Sequence, residues 1–358
     1  MEDLKKIRAE INKIDKKMQS LFIKRMEEVK KVAKFKKENN LPIFDAEREN
    51  NIIESRLKNF DDEELKSHYV SFIRDVMKIS KSYQEELNKG IKVAFAGEKG
   101  AFADVAVKKI FNDIEEIKCK NFKEAYEKVV EGKANYAVLP IENSDAGEVG
   151  VVQDLIFKGP LFVVNIMDLP VDQNLLAKPG VTINKIKKVY SHRQALNQCR
   201  PFLEEHDMIA SDVDSTSLAA KMVSESNEKD IAAIANLEAA KIYKLNVVVP
   251  KINSERDNTT KFAVFSRNLI KYKHADDNKF ILTFTAKNEA GSLAKAVNII
   301  AKHKFNMRCL RSRPLEGLIW TYYFYVEAIG NVQSQNGEKM MKELSKVCDE
   351  LKIAGIYR

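Results

Sequence analysis

Over residues 3–39 apolar side chains return every three or four positions, as Leu4, Ile7, Ile11, Ile14, Met18 and Leu21, the spacing of one face of an α-helix. The same seam then runs on through Arg25, Glu28, Val32 and Phe35. A stripe that turns cationic midway admits two readings. Arg25 closes it and snorkels to solvent, or Arg25 faces a cavity where partners offset the cost of burying its charge. Lys36 lies 11 residues further on, about three turns, and so projects from nearly the same side. After a stop at Leu41-Pro42 a second helix carries Asp45, Arg48, Glu49 and Ile52 on one face, and a third, over 62–88, aligns Ile73, Met77, Ser80 and Gln84. Three helices that each bring polar groups onto an inward face predict a shared polar cavity. It would hold Arg25, Lys36 and Arg48 against Asp45 and Glu49, a cation excess suited to a small polyanion.

The pattern changes at Gly90. Before it there is no glycine and one proline, Pro42, so the stretch is expected to form a few long helices. Beyond it short apolar runs (Ile91–Ala96, Tyr136–Ile141, Leu161–Val164, Ile231–Ala235, Val247–Val249) alternate with amphipathic helices. Such alternation predicts a mainly parallel sheet with ligands at the strand C-terminal ends. Polar residues cluster at two of those ends, Glu142-Asn143-Ser144 and Ser191-His192, and near the end of the region stands Asn258-Thr259-Thr260-Lys261-Phe262, polar and then apolar. Taken singly, Asn143 and Ser191 read as helix caps, and the turn Gly97–Phe102 as either a plain turn or an anion-binding one. From residue 278 the order is strand, helix, strand, strand, helix, strand: Phe280–Ala286, Leu293–His303, Met307–Arg313, Trp320–Ala328, Lys339–Leu351 and Ile353–Tyr357. The chain thus divides into an all-α domain (1–89), an α/β domain (90–270) and an α+β domain (278–358).

Composition narrows the function. At 358 residues there is room for two or three cores. The net charge of +8 is concentrated at the ends, +3 over 1–90 and +6 over 271–358. No one-sign block is interleaved with aromatics, so nucleic acid is not an expected partner. Cys119, Cys199, Cys309 and Cys348 are scattered, without the spacing of a zinc or redox motif, which predicts a reducing cytoplasm and no metal site. The charged N-terminus lacks an apolar signal core, and no window approaches the ~18 apolar residues of a membrane span; a cytoplasmic protein is expected.

The series Arg8, Arg25, Lys36, Asp45, Arg48, Glu49, Ser80, Gln84 resembles the all-helical chorismate mutases. The resemblance implies rearrangement of chorismate to prephenate without cofactor or metal. That reaction needs a cavity that holds the reactive conformer and stabilises charge growing on the breaking ether oxygen. It also implies a homodimer or higher oligomer interlocked through the first helix, with Arg8 lent to the partner's site. Seventeen residues separate Arg8 from Arg25, about 100° around the helix, so the two do not readily serve one site within a chain. By the same resemblance Arg8 and Arg25 clamp the carboxylates, Lys36 and Gln84 donate to the ether oxygen, and Asp45 and Glu49 hold the hydroxyl and order the cations. Arg48 and Ser80 complete the substrate contacts.

The motifs Pro140–Ser144 with Gly147, Ser191-His192 with Gln194-Ala195-Leu196, Ser215-Thr216, and Asn258 through Phe262 resemble prephenate dehydratase over about residues 91–270. This implies two lobes like those of periplasmic binding proteins, with prephenate in the cleft and phenylpyruvate as product. Thr260 would assist the departing hydroxyl, and Glu142, Asn143, Ser144, Ser191, His192, Lys261 and Phe262 would line the cleft. Lys261 stands where the family has arginine, keeping the charge without the planar fork; Ala103 stands where it has serine or threonine. The last module resembles the ACT regulatory domain. Gly291-Ser292-Leu293 and Ser312-Arg313-Pro314 match the loops that hold phenylalanine as effector, with Ser292 for alanine and Arg311 for glutamate. Arg311 is expected to change the charge near the effector's ammonium group and to weaken inhibition; a dimerisation module without ligand is the plainer reading. The whole chain therefore resembles the bifunctional enzymes of L-phenylalanine biosynthesis. A chorismate mutase fused to a non-catalytic aromatic-metabolite sensor is the alternative.

Overall fold

The computed structural model describes residues 2–39, 41–57, 62–254, 257–269, 279–315 and 322–357. The chain forms two compact units, Met1–Lys92 with Asp113–Glu115, and Val93–Asn112 with Glu116–Arg358. The first unit is built on three helices, α1 (Glu2–Glu38), α2 (Ala46–Leu57) and α3 (Glu63–Lys89). The α3 start is set by Asp62, whose carboxylate accepts from the Glu64 and Leu65 amides at 3.0 Å, and its end by Gly90 at φ +83°, a conformation glycine adopts at little cost. The C-terminal part of α1 packs on α3, where Val29, Ala33, Ile73 and Met77 are buried. The N-terminal part does not share this: Leu4, Ile7, Ile11, Ile14, Met18 and Leu21 are 45–64% exposed, an uncovered apolar stripe of the kind that marks an interaction face.

The second unit opens with a lobe of β1 (Ile91–Ala96), α4 (Phe102–Ile110), β2 (Ile114–Cys119), α5 (Phe122–Val130), β3 (Tyr136–Asn143), β4 (Gly147–Glu148), α6 (Gly150–Lys158) and β5 (Phe162–Pro170). A second lobe follows: β6 (Asn174–Ala177), β7 (Lys188–Ser191), α7 (Arg193–Gln198), α8 (Arg200–Glu205), β8 (Ile209–Asp212), α9 (Thr216–Glu225), β9 (Ile231–Ala235), α10 (Leu237–Ile242) and β10 (Asn246–Val249). β11 (Thr259–Ser266) then returns to the first lobe and lies between β3 and β5, antiparallel to both. The sheets are therefore mixed, not mainly parallel as the alternation predicts. β1–β3, β7–β8 and β7–β9 are parallel, but the returning strand and the β6–β9 and β6–β10 pairs run the other way.

The C-terminal module is β12 (Lys279–Thr285), α11 (Ser292–Lys302), β13 (Asn306–Pro314), β14 (Tyr322–Ile329), α12 (Gln335–Leu344) and β15 (Asp349–Tyr357). The expected order is present, although the predicted Trp320 start of the fourth element lies outside the described residues. α12 stops at Leu344, seven residues short of the expected Leu351. Leu344, Val347 and Leu351 have helical spacing, yet all three pack into one core from helix, turn and strand. The module joins the first lobe directly. β15 pairs with β5 through Gly355 and Val163, so a single sheet runs β13-β14-β12-β15-β5-β11-β3-β1-β2, with β4 on β3. Gly355 permits this approach, since a Cβ there would lie 2.6 Å from Val163 O.

Candidate active sites

In the helical unit the inward polar groups converge. A cavity of about 140 Å³ is lined by Arg25, Lys36, Asp45, Arg48, Glu49, Ser80, Lys81 and Gln84 among apolar Val29, Val32, Ile43, Ile52 and Met77. Of the two readings of Arg25, the inward one holds. It donates through Nη1 to Ser80 Oγ, and Ser80 Oγ donates to Val76 O at 2.7 Å. Lys36 Nζ donates to Ile43 O at 2.7 Å, which occupies one of three ammonium donors. Asp45 caps α2, accepting from the Arg48 amide at 3.0 Å. Gln84, 7% exposed, donates to Ser80 O at 3.3 Å, and its Oε1 is buried without a hydrogen-bond partner. Arg8 is exposed on α1 and is not among the cavity's lining residues; it sits ~25 Å from Arg25 along the helix at 1.5 Å per residue.

One charged lining residue is new. Lys81 pairs with Glu49 at 2.8 Å and lies over the Phe44 ring at 4.8 Å. The signal was its place three residues before Gln84, the helical spacing of a shared face. Four cations thus face two carboxylates.

In the second unit Thr260 and Asn143 are cross-strand neighbours on β11 and β3. Asn143 Nδ2 donates to Thr260 Oγ1 at 2.9 Å and to Asn258 Oδ1 at 2.7 Å. Its Oδ1 accepts from the Asp145 and Ala146 amides at 3.1 and 2.9 Å, so Asn143 organises the turn beyond its strand. Ser144 pins the same turn, exchanging bonds with the Thr259 backbone at 2.9 Å in each direction. Asn258 is 3% exposed and its Nδ2 is buried without a partner.

Two predicted cleft residues point elsewhere. Successive residues of a strand face opposite sides, and Glu142 and Lys261 pair with each other at 3.1 Å on the side away from Asn143 and Thr260. There Glu142 also meets Arg311 of β13 at 2.5 Å. Burial pushes the Glu142 carboxyl up, but the hydrogen bonds of Arg311 and Lys261 outweigh it and hold it below the ordinary carboxylate value. Phe262 follows a register shift and is 2% exposed in the core.

Ser191 and His192 belong to the second lobe. Ser191 is fully buried and donates to Ile234 O at 2.7 Å; His192 caps α7, accepting at Nδ1 from the Gln194 amide at 3.3 Å. The bridge from this lobe toward Asn143 is Gln198, whose Nε2 donates to Asp145 Oδ2 at 2.9 Å. It lies two residues past the Ser191–Leu196 motif and is a second residue that sequence reasoning passed over. The Gly97–Phe102 turn is the plain one: Asp104 takes the Gly100 amide at 2.7 Å, leaving that donor spent within the fold.

In the C-terminal module a cavity of about 340 Å³ is lined by Leu293, Tyr322 and Phe324 among others. Ser312 and Pro314 are paired with Phe324 and Tyr322 across β13 and β14, and α11 begins at Ser292 behind Gly291 at φ +85°. Leu293 of the first expected loop thus shares a cavity with the strand partners of Ser312 and Pro314, which are not themselves among its lining residues. β13 alternates, exposing Ser312 and Pro314 and half-burying Arg311 and Arg313. Arg313 turns to Asp154 at 3.2 Å, and Arg311 turns to Glu142 and Glu148. The Arg311 charge is therefore directed to the side of β13 opposite Ser312 and Pro314.

Residues 7–85 match the chorismate mutase type II family, and residues 93–269 match the prephenate dehydratase family. The bifunctional chorismate mutase/prephenate dehydratase of Aquifex aeolicus (strain VF5) is 31% identical over 368 residues, covering 100% of this chain and 98% of its own. That of Escherichia coli (strain K12) is 30% identical over 366 residues, covering 98% and 95%. A solved prephenate dehydratase from Arthrobacter aurescens, in complex with L-Phe, is 26% identical with a TM-score of 0.69, covering 75% of this chain and 89% of that one.

Proposed function

This chain belongs to the bifunctional chorismate mutase/prephenate dehydratase family, and from that premise we propose which of its side chains carry the two reactions. The protein rearranges chorismate to prephenate and converts prephenate to phenylpyruvate in L-phenylalanine biosynthesis. The observation that carries the assignment is the helical cavity, where four cations converge on a space with two carboxylates. A dianion is bound there with its charge matched, and no nucleophile is required. Arg25 and Arg48 receive carboxylates, Lys36 donates to the ether oxygen, and Glu49, ordered by Lys81, accepts the substrate hydroxyl with Asp45. Arg8 completes the site from a second copy of the chain, whose α1 covers the exposed Leu4–Leu21 stripe.

Gln84 is the uncharged donor opposite Lys36. An amide donates at any pH, whereas a carboxyl in its place donates only when protonated. Burial would raise that carboxyl's pKa, and above it a new anion would face the substrate. Mutase activity of the parental chain is therefore expected to stay nearly flat from mildly acidic to neutral pH. Gln84→Glu should be active only on the acid side. A flat profile in Gln84→Glu would place this side chain away from the ether oxygen.

Thr260 is assigned as the acid for the departing hydroxyl. Asn143 donates to its oxygen, which leaves the threonine proton directed elsewhere. The C-terminal module is assigned as an ACT domain that binds phenylalanine between two copies, with Gly291–Leu293 and Ser312 with Pro314 around the ligand. The complex of the Arthrobacter relative with L-Phe supports phenylalanine as the ligand. Calorimetry on the full chain should detect phenylalanine binding, and dehydratase rates should fall with a coupling of ~1–3 kcal/mol. Absence of heat, with rates indifferent to millimolar phenylalanine, would leave the module without an effector.

A further inference from the structure

Glu142 and Glu148 stand directly opposite each other on β3 and β4, a register in which like charges repel. Within the lobe Lys261 answers Glu142 at 3.1 Å. The rest of the counter-charge comes from the C-terminal module. Arg311 of β13 reaches Glu142 Oε1 through Nη2 at 2.5 Å and Glu148 Oε1 through Nε at 2.9 Å. Its guanidinium lies over the Tyr325 ring at 5.7 Å, and its side chain is 17% exposed, so solvent and salt screen these contacts poorly. A planar fork that serves two carboxylates at once is a geometry for arginine and not for lysine.

What this cation holds lies one residue from the chemistry. Glu142 is followed by Asn143, which donates to Thr260 Oγ1 at 2.9 Å, and Lys261, the other partner of Glu142, follows Thr260. Both flanks of the Asn143–Thr260 pair are therefore tied to one carboxylate, and that carboxylate is tied to β13. We propose that Arg311 is a positioning residue for the dehydratase reaction: by clamping Glu142 and Glu148 together from the C-terminal module, it fixes Asn143 against Thr260. The proposal deepens the reading of Thr260 as the acid and rests on it.

Charge reversal tests it. Arg311→Glu places a third carboxylate against Glu142 and Glu148, and should lower kcat for prephenate dehydration by about tenfold or more, the scale on which small misplacements of a reacting group register. KM should move less, because the displaced pair acts on the departing hydroxyl. Mutase turnover by the same protein is the internal control and should not change. Adding Glu148→Lys to Arg311→Glu restores a cation at this joint and should recover most of the lost kcat, an interaction that a double-mutant cycle isolates. Should Arg311→Glu fail to fold, Arg311→Met carries the same comparison with kcat again the quantity expected to fall. Parental kcat in a folded Arg311→Glu or Arg311→Met chain overturns the proposal. So does a double variant that regains thermal stability but not kcat. Thr260→Ala in the parental chain tests the underlying reading on its own: full dehydratase activity there refutes the role of Thr260 and leaves the Arg311 comparison interpretable.

Discussion

A Thr260→Ala chain is expected to consume chorismate at the parental rate and to stop at prephenate. Aromatisation of prephenate expels carbon dioxide and a ring hydroxyl, and hydroxide is a poor leaving group unless a proton reaches it as the bond breaks. Positioned acids supply roughly 10²–10⁴-fold in such steps. Thr260 is 9% exposed and accepts from Asn143 Nδ2 at 2.9 Å. A hydroxyl that accepts from one side keeps its own proton for the other. Removing it should therefore lower phenylpyruvate formation by about that factor while the fold is retained, since the loss is one buried hydroxyl whose donor partner keeps Asn258 Oδ1 at 2.7 Å. Thr260→Ser, which keeps the oxygen, should retain much of the rate. Prephenate accumulation is followed by its acid conversion to phenylpyruvate after quenching, against phenylpyruvate formed before it. Near-parental phenylpyruvate formation by Thr260→Ala would remove this residue from the chemistry.

The parts of this arrangement legible in the chain were those written in local periodicity. Arg25 announced the cavity because it interrupts an apolar seam, and Ser80 and Gln84 because they continue one. Lys81 belongs to the same cavity but follows Ser80 directly, and one more lysine among 60 basic residues reads as a solvated side chain until Glu49 is placed beside it. The strand motifs behaved differently. Glu142 and Asn143 are adjacent in the motif and on opposite faces in the sheet, so adjacency alone assigned both to the cleft where a period of two would have separated them. The same alternation split Arg313 from Ser312 and Pro314. The contact of Asn143 with Thr260 joins residues 117 apart, through a strand that returns from the second lobe. Pairing of that range has no local signature, and the mainly parallel sheet expected from strand–helix alternation failed for the same reason.

The largest effect in the helical unit is expected at Lys36. Replacing it with alanine should lower chorismate turnover by roughly 10²-fold or more, the scale of losing one preorganised donor to a developing oxyanion, with helicity unchanged. Its ammonium is fixed by Ile43 O at 2.7 Å, so it is held in place before substrate arrives, and two donors remain for the ligand. The shared-site reading adds a sharper test. If Arg8 is lent across a dimer, an Arg8→Ala chain lacks the partner's clamp but keeps its own Lys36, and a Lys36→Ala chain has the opposite defect. Each alone should be nearly inactive as a mutase. Mixed and allowed to exchange subunits, they form hybrids in which one site holds an intact Lys36 from the first chain and an intact Arg8 from the second, and the other site holds neither. Activity should reappear on mixing, toward a quarter of the parental specific value when exchange is random. Near-normal turnover by a folded Lys36→Ala chain would end the assignment of that donor. Two inactive variants that stay inactive after demonstrated subunit exchange would mean that Arg8 serves its own chain, and that the exposed apolar stripe of α1 is covered without sharing a site.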